Sequence, residues 1–276
     1  MTTTSTPAAL WYVYGIVPAG LTASSLPSGL DDADVSVEDE GGVAALVSCL
    51  DASAYAPDSI ERNSADVEWL SPRAMAHDRV LTWASDRGAV VPLPMFSLFS
   101  GPDAVRAMLR DRRPQLASTL QRVGHGREYA VRVYRVDAEL LAVIATLSPR
   151  LEELASSAAS ASPGQRYLLE RKLDGQKRAE LRAVTQEIVD GIVEELSAHA
   201  IDTVRSPIPR VTDAEQLAGR GTMVLNAAFL VAPDRLEGFQ KTLTGLVDRR
   251  GAHGFRFDFT GPWPPYHFAE RPADGD

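Results

Sequence analysis

Apolar residues recur along this chain with two different periods, and the period changes from one segment to the next. The first run, "LWYVYGIVP", is aromatic and β-branched and is closed by Pro18 and Gly20, which predicts a strand. An acidic, turn-rich stretch from Ser24 to Glu40 follows. "VSVEDEGGVAALVSC" then reads as a hairpin, because Gly41 and Gly42 can take the positive φ that a tight hairpin turn needs. Ser71–Pro72 is a cap and first-turn signal for a helix carrying Met75, Ala76, Val80 and Trp83 at helical spacing and stopping at Gly88. "AVVPLPMF" predicts a short buried strand cut off by Pro92 and Pro94. A second helical stretch starts near Pro102 and breaks at Pro114. The N-terminal part is expected to run β, β-hairpin, α, β, α.

Alternation takes over in "REYAVRVYRV", where Tyr129, Val131 and Val133 fall on one face and Arg132 and Tyr134 on the other. A short Leu/Ala-rich helix is expected through "DAELLAVIATL". Ser162–Pro163 opens a long one to about His199, with Leu181, Val184, Ile188, Ile192 and Leu196 as its apolar stripe. Gly175 and Gly191 lie inside it and weaken it by about 1 kcal/mol each relative to alanine, which favours a bend. A short proline-bearing strand, "DTVRSPIP", and the apolar run "TMVLNAAFLV" come next. In "PDRLEGFQKTLTGLVDRRG", Asp234 and Glu237 have capping-box spacing, and Arg249 and Arg250 oppose the helix dipole before Gly251. The last strand, "FRFDFTG", sets Phe255, Phe257 and Phe259 on one face.

Setting aside one extra helix, this half is β-α-β-β-α-β, the ferredoxin-like pattern. That pattern requires central first and third strands; Pro207, Pro209 and Pro262 fall in the second and fourth, where an edge tolerates them. The expected fold class is α+β with two domains. Residues 1–125 form an N-terminal α/β domain with a small mixed sheet, and 126–270 a C-terminal ferredoxin-like (βαββαβ) domain with an extra helix. "ASSAASASPG" reads as a loop or helix end, and 271–276 as a disordered tail.

Composition narrows the function. A chain of 276 residues can bury a core without staples, and its single cysteine excludes an internal disulfide framework. Cys49, in "AALVSCL", is expected to be a core thiol in a reducing compartment. The N-terminus lacks the basic and apolar regions of a signal peptide, and no apolar run reaches membrane-spanning length, so a cytoplasmic protein without a membrane partner is expected. A formal net charge of -9 argues against nucleic acid, as does the weak platform of Tyr134 with Arg132 and Arg135.

The chemistry-bearing motifs are missing. The sequence contains no phosphate loop, dinucleotide fingerprint, nucleophile elbow or metalloprotease helix, so no catalytic, cofactor-binding or metal residue is assigned. Its five histidines lack metal-ligand spacing; His77 reads as a surface or half-buried structural residue, and His253 as part of a turn. The cluster "LRDRRPQ", with Arg110, Arg112 and Arg113, is a soluble helix face or a contact for an acidic partner. Two further classes stay open: a small-molecule-binding regulatory protein on the ferredoxin-like domain, and an enzyme using His253 and Asp258.

The end of the chain is the most specific stretch. "GPWPPYHF" after a Phe-alternating strand resembles the C-terminal signature of the gas vesicle F/L family (GvpF/GvpL). "LWYVYGIVP", "HDRVLTWASDRGAVVPLPMF", "GREYAVRVYR", "PGQRYLLERK" and "MVLNAAFLV" are similar to the family's other segments and come in family order. One stretch departs: after Pro92 the family usually shows Arg-Phe-Gly, where this chain has Pro94, Met95 and Phe96. F-like and L-like members are not separated by these motifs.

The resemblance implies a non-enzymatic accessory or minor structural protein of gas vesicles. It would bind the hydrophobic GvpA-type shell protein, prevent its aggregation, help vesicle nucleation and assembly, and meet other accessory proteins. Trp263, Pro264, Pro265, Tyr266 and Phe268 are the motif's candidate partner-binding residues. Physically, the prolines end the strand and block edge pairing, while Trp263 and Tyr266 can cover apolar surface with one polar atom hydrated. Two readings follow: a stiff lid on its own domain, or a groove for an apolar client. Proline-blocked edges and an acidic surface favour a monomer in isolation.

Overall fold

The computed structural model describes residues 9–21, 25–209 and 221–269. The chain divides into two compact units, one running to Glu128 and taking in the segment from Pro262, the other from Tyr129 to Gly261.

In the first unit, β1 (Ala9–Pro18) pairs with the hairpin strand β3 (Val43–Asp51), which β2 (Ser36–Glu40) flanks. Gly41 and Gly42, with φ of 63° and 101°, make the predicted hairpin turn. Two short pieces, β4 (Val91–Pro92) and β5 (Leu98–Phe99), lie along the other side of β1. Their register, Ile16 to Val91 and then Trp11 to Phe99, makes them one interrupted strand running back along β1. Every pair in this sheet is antiparallel, which corrects the expected mixed sheet. β3 and β4 do run the same way, as a β-α-β crossover demands, but β1 lies between them in the order β2-β3-β1-β4.

Both faces of the sheet are covered, which explains why "WYVYGIV" is apolar without alternation. Tyr12, Tyr14, Ala44 and Leu46 pack with Ala76, Val80 and Leu81 of α2 (Val67–Ser85). Val13, Ile16, Ala45 and Val47 pack with Val105 and Leu109 of α3 (Pro102–Asp111) and Leu116 and Leu120 of α4 (Arg113–Val123). A bulge between Val13 and Gly15 shifts the period, so that Tyr14 and Val17 share one face and Val13 and Ile16 the other. A Cβ on Gly15 would stand 2.7 Å from Leu81 Cδ2 and 2.9 Å from the Val91 carbonyl, so only glycine fits there.

Helix boundaries moved from expectation for local reasons. α2 starts at Val67, ahead of Ser71, because the Asp66 side chain accepts the Glu68 N–H. Pro72 therefore lies inside the helix. A short helix, α1 (Pro57–Asn63), precedes it without having been predicted. The predicted break at Pro114 is found, with that proline in the first turn of α4. Cys49 is exposed and not a core thiol: strand alternation turns its neighbour Ser48 inward to the Tyr14 hydroxyl.

The second unit is built on β6 (Arg127–Arg135), α5 (Asp137–Val143), α6 (Pro149–Ser160), α7 (Pro163–Ser197), β7 (Asp202–Arg205), β8 (Thr222–Val231), α8 (Leu236–Gly251) and β9 (Phe255–Trp263), the first two residues of β6 and the last two of β9 counting with the first unit. The sheet order β7-β8-β6-β9 puts β6 and β8 in the centre, as the ferredoxin-like pattern requires, and β7 pairs antiparallel to β8. Tyr129, Val131 and Val133 share one core with Ile188, Ile192, Leu196, Phe229, Phe239 and Phe255, and Phe257 and Phe259 pack against it. β7 ends at Arg205, before Pro207 and Pro209, because prolines lack the N–H that a strand ladder uses.

The helix-end reading of "ASSAASASPG" is met, and two other local expectations are corrected. "ASSAAS" belongs to α6, whose first turn is capped by the Ser148 side chain accepting the Leu151 N–H. The Asp234 box does not cap α8, since a 3-10 turn over Pro233–Arg235 comes first. Tyr134 is buried and offers no stacking surface. α7 continues as a single helix through Gly175 and Gly191.

The chain's end differs from the sequence division. Residues 126–270 were expected in one domain, but the segment from Pro262 counts with the first unit. It carries a one-turn helix, α9 (Tyr266–Ala269), that contacts β4 and α4. Residues 271–276 lie outside the described residues.

Candidate functional site

The closing turn is fastened to the first unit by its buried members. Pro264 and Pro265 are buried, and the Pro264 carbonyl accepts the Tyr266 N–H at 2.8 Å, which tightens the turn. Phe268 is 0% exposed. Glu128, itself buried, accepts both the backbone N–H of His267 at 2.9 Å and its Nδ1–H at 2.7 Å. Arg122 donates to the Phe268 carbonyl at 2.8 Å. A buried carboxylate and a guanidinium thus hold two adjacent residues of one short turn through charge-assisted hydrogen bonds.

The aromatic members divide differently. Trp263 and Tyr266 remain 42% and 36% exposed. The Tyr266 hydroxyl faces the Asp78 carboxylate of α2; burial and that charge both push the phenol's pKa up. Asp78 is also raised, chiefly by burial. Tyr266 and His267 line a hollow of about 320 Å³ with Pro92, Leu93 and Pro94. A second hollow, about 340 Å³, uses the same proline edge with Arg112, Gln115, Leu116, Thr119 and Ala269. Trp263 lines neither hollow. Of the five motif residues, Pro264, Pro265 and Phe268 anchor the turn, Tyr266 forms a wall, and Trp263 is partly exposed outside both hollows.

Sequence reasoning missed the other wall. "PLP" was readable as a strand stop, but not as a surface. Pro92 and Pro94 have no N–H, and the Leu93 N–H is used by the Tyr14 carbonyl at 2.9 Å. The edge therefore has no donor to offer an incoming strand.

Beneath it lies a polar cluster. The Tyr12 hydroxyl and His77 Nδ1 are 2.6 Å apart, and the Phe96 N–H points at the same hydroxyl at 3.4 Å. Burial holds the Tyr12 phenol well above its ordinary pKa, so its O–H donates and His77 Nδ1 accepts. His77, expected near the surface, is buried, and desolvation pushes it down to about 4, although the Leu93 carbonyl partly favours the charged form.

Phe96 stands where the resembling family usually has glycine, and its φ of 64° is left-handed. Its ring stacks on Trp69 at 5.6 Å and lies 6.3 Å and 6.5 Å from Tyr55 and Tyr12. Aromatic packing offsets backbone strain of about 1–2 kcal/mol. Phe96→Gly and Phe96→Ala should both destabilise this unit, with the glycine variant the more stable by about 1 kcal/mol. Urea unfolding of the two variants checks the order; equal stability would remove the strain argument.

The other sequence candidates do not converge. Arg110 and Arg113 pair with Glu40, and Arg106 with Glu38 and Asp103; Arg110 holds the Glu40 carboxyl below its usual range. His253 is lowered by burial and by Arg250. His199 hydrogen-bonds Thr242 at 3.0 Å. Among the described residues no group of three or more His, Cys, Asp or Glu could hold a metal, and no helix is long and apolar enough to cross a membrane.

Two antiparallel-sheet units, with a proline–aromatic turn at the chain's end fastened to the first of them, define the class of protein. The chain belongs to the gas vesicle synthesis protein GvpL/GvpF family, whose sequence model matches residues 10–270. Gas vesicle protein F of Streptomyces sp. (strain CB03234) is 30% identical over 266 residues, covering 94% of this chain and 99% of the relative. Gas vesicle protein L1 of Halobacterium salinarum (strain ATCC 700922 / JCM 11081 / NRC-1) is 26% identical over 262 residues, covering 94% and 89%. The crystal structure of GvpF from Anabaena sp. PCC7120 shares the fold, with a TM-score of 0.64 at 19% identity over 95% of this chain and 97% of that one.

Proposed function

We propose that this chain is an accessory protein of gas vesicles that binds the hydrophobic shell protein, keeps it from aggregating and helps vesicle nucleation and assembly. The carrying observation is the surface beside the closing turn: Tyr266 stays partly exposed along an edge that Pro92 and Pro94 strip of donors. An aggregating apolar client can lie against such an edge without being extended into a sheet. The buried anchors Phe268 and Glu128 hold the wall in place while it is used. The protein works at the vesicle in the cytoplasm, meets other accessory proteins there, and is a monomer alone. No catalytic step is assigned to it.

Co-expression with a gas vesicle shell protein tests the reading. The shell protein should stay soluble and co-purify. Tyr266→Ala should lower the captured amount by about tenfold, the effect of losing one aromatic anchor, and Trp263→Ala should add to it. Circular dichroism should be unchanged, because neither side chain belongs to a buried core. Precipitation of the shell protein as though this chain were absent would overturn the proposal, and unchanged capture by the double variant would move the contact elsewhere.

A further inference from the structure

We infer that the hollow between α4 and the proline edge seats an apolar helix bearing one carboxylate, and that Arg112, Gln115 and Thr119 bind that carboxylate. The inference rests on the shell-protein reading for the partner's identity, but its chemistry comes from the hollow alone.

Gln115 and Thr119, four residues apart on one face of α4, line the hollow together with Arg112, the residue that precedes the helix. Their neighbours are already neutralised: Glu38 takes Arg106, and Glu40 takes Arg110 and Arg113. The side chains of Arg112, Gln115 and Thr119, by contrast, make no hydrogen bond or ion pair with any described residue. Thr119 is 3% exposed, and its side chain borders the hollow. A permanently charged guanidinium, an amide and a hydroxyl around one hollow match the acceptor-only chemistry of a carboxylate. Val91 and Leu116 supply an apolar floor.

The opposite wall selects the guest's backbone. A strand docking on Val91–Pro94 would find no N–H for its carbonyls, because Pro92 and Pro94 have none and Leu93 has spent its own on Tyr14. A helix arrives with its backbone hydrogen bonds already made, and so loses nothing there. Charge complementarity to Arg112 and this donor-free wall together name one occupant, an apolar helix carrying Asp or Glu.

The test uses the full chain and two labelled Leu/Ala-rich helical peptides, identical except for one Glu or Gln, with fluorescence anisotropy as readout. The Glu peptide should bind about tenfold tighter, as expected for one charge-assisted contact. Arg112→Gln should abolish that preference, Arg112→Lys should keep part of it, and Thr119→Val should reduce it. A melting curve matching the parent chain shows that Arg112→Gln remains folded. Equal binding of the two peptides, binding of neither, or a preference untouched by Arg112→Gln overturns the inference. If the peptide preference holds while the shell protein is not captured, only the identity of the partner falls.

Discussion

Phe268→Ala is expected to destabilise the first unit by about 3–5 kcal/mol, the usual cost of truncating a fully buried phenylalanine. Phe268 is 0% exposed and belongs to the turn that lies on β4 and α4, so the cavity would open beneath the proposed groove. The loss would not stop at packing. Glu128 would still be buried, but with its partner His267 on a poorly seated turn, and a buried carboxylate without its donors is costly. The measurement is simple because Trp11, Trp69, Trp83 and Trp263, the chain's four tryptophans, all belong to the first unit. Urea unfolding followed by tryptophan fluorescence therefore reports that unit, and far-ultraviolet circular dichroism adds the second. The fluorescence midpoint should fall sharply. A midpoint unchanged from the parent chain would mean that the closing turn contributes nothing to the first unit.

The second large effect is loss of stability in acid. His77 is held neutral with a pKa of about 4, against an ordinary 6.5, chiefly because burial penalises its charged form. Between those two values the unfolded chain binds a proton that the folded chain refuses. Stability should thus fall as pH drops from about 6.5 to about 4, by roughly 3 kcal/mol, and this contribution should level off below that. Protonation would also cost the acceptor that Nδ1 offers the Tyr12 hydroxyl. The neighbouring Asp78 works in the opposite sense: its raised pKa makes the folded state the better proton binder in acid and offsets part of the loss. His77→Gln keeps an acceptor for Tyr12 and removes the titration. Its stability should vary less between pH 6.5 and 4 than that of the parent chain, as read by fluorescence-detected unfolding. An identical acid slope in the variant would assign the effect to other groups.

Much of the architecture was legible because it is written in spacing. The hairpin at Gly41–Gly42, the alternation of Tyr129, Val131 and Val133, and the stripe of α7 are each contained in one short window. The errors came where a stronger local partner or a distant layer intervened. Asp66 outcompeted Ser71 as a cap, and the Pro233–Arg235 turn displaced the Asp234 box. Cys49 was misread because an apolar window does not say which strand face its last residues take.

The sequence alone carried the family likeness, the succession of most strands and helices, and the proline marks that keep sheet edges from extending. These depend on backbone sterics and on periodicities within single elements, which are fixed before any element meets another. Only the tertiary structure decided that the closing turn is fastened by Glu128, which stands 139 residues from His267. It also decided that His77 is buried against Tyr12, that Phe96 is held in left-handed geometry by a ring cluster, and that Arg112 alone of its cluster has no ion pair among the described residues. Burial and partnership are properties of neighbours brought together across the chain, and no local pattern contains them.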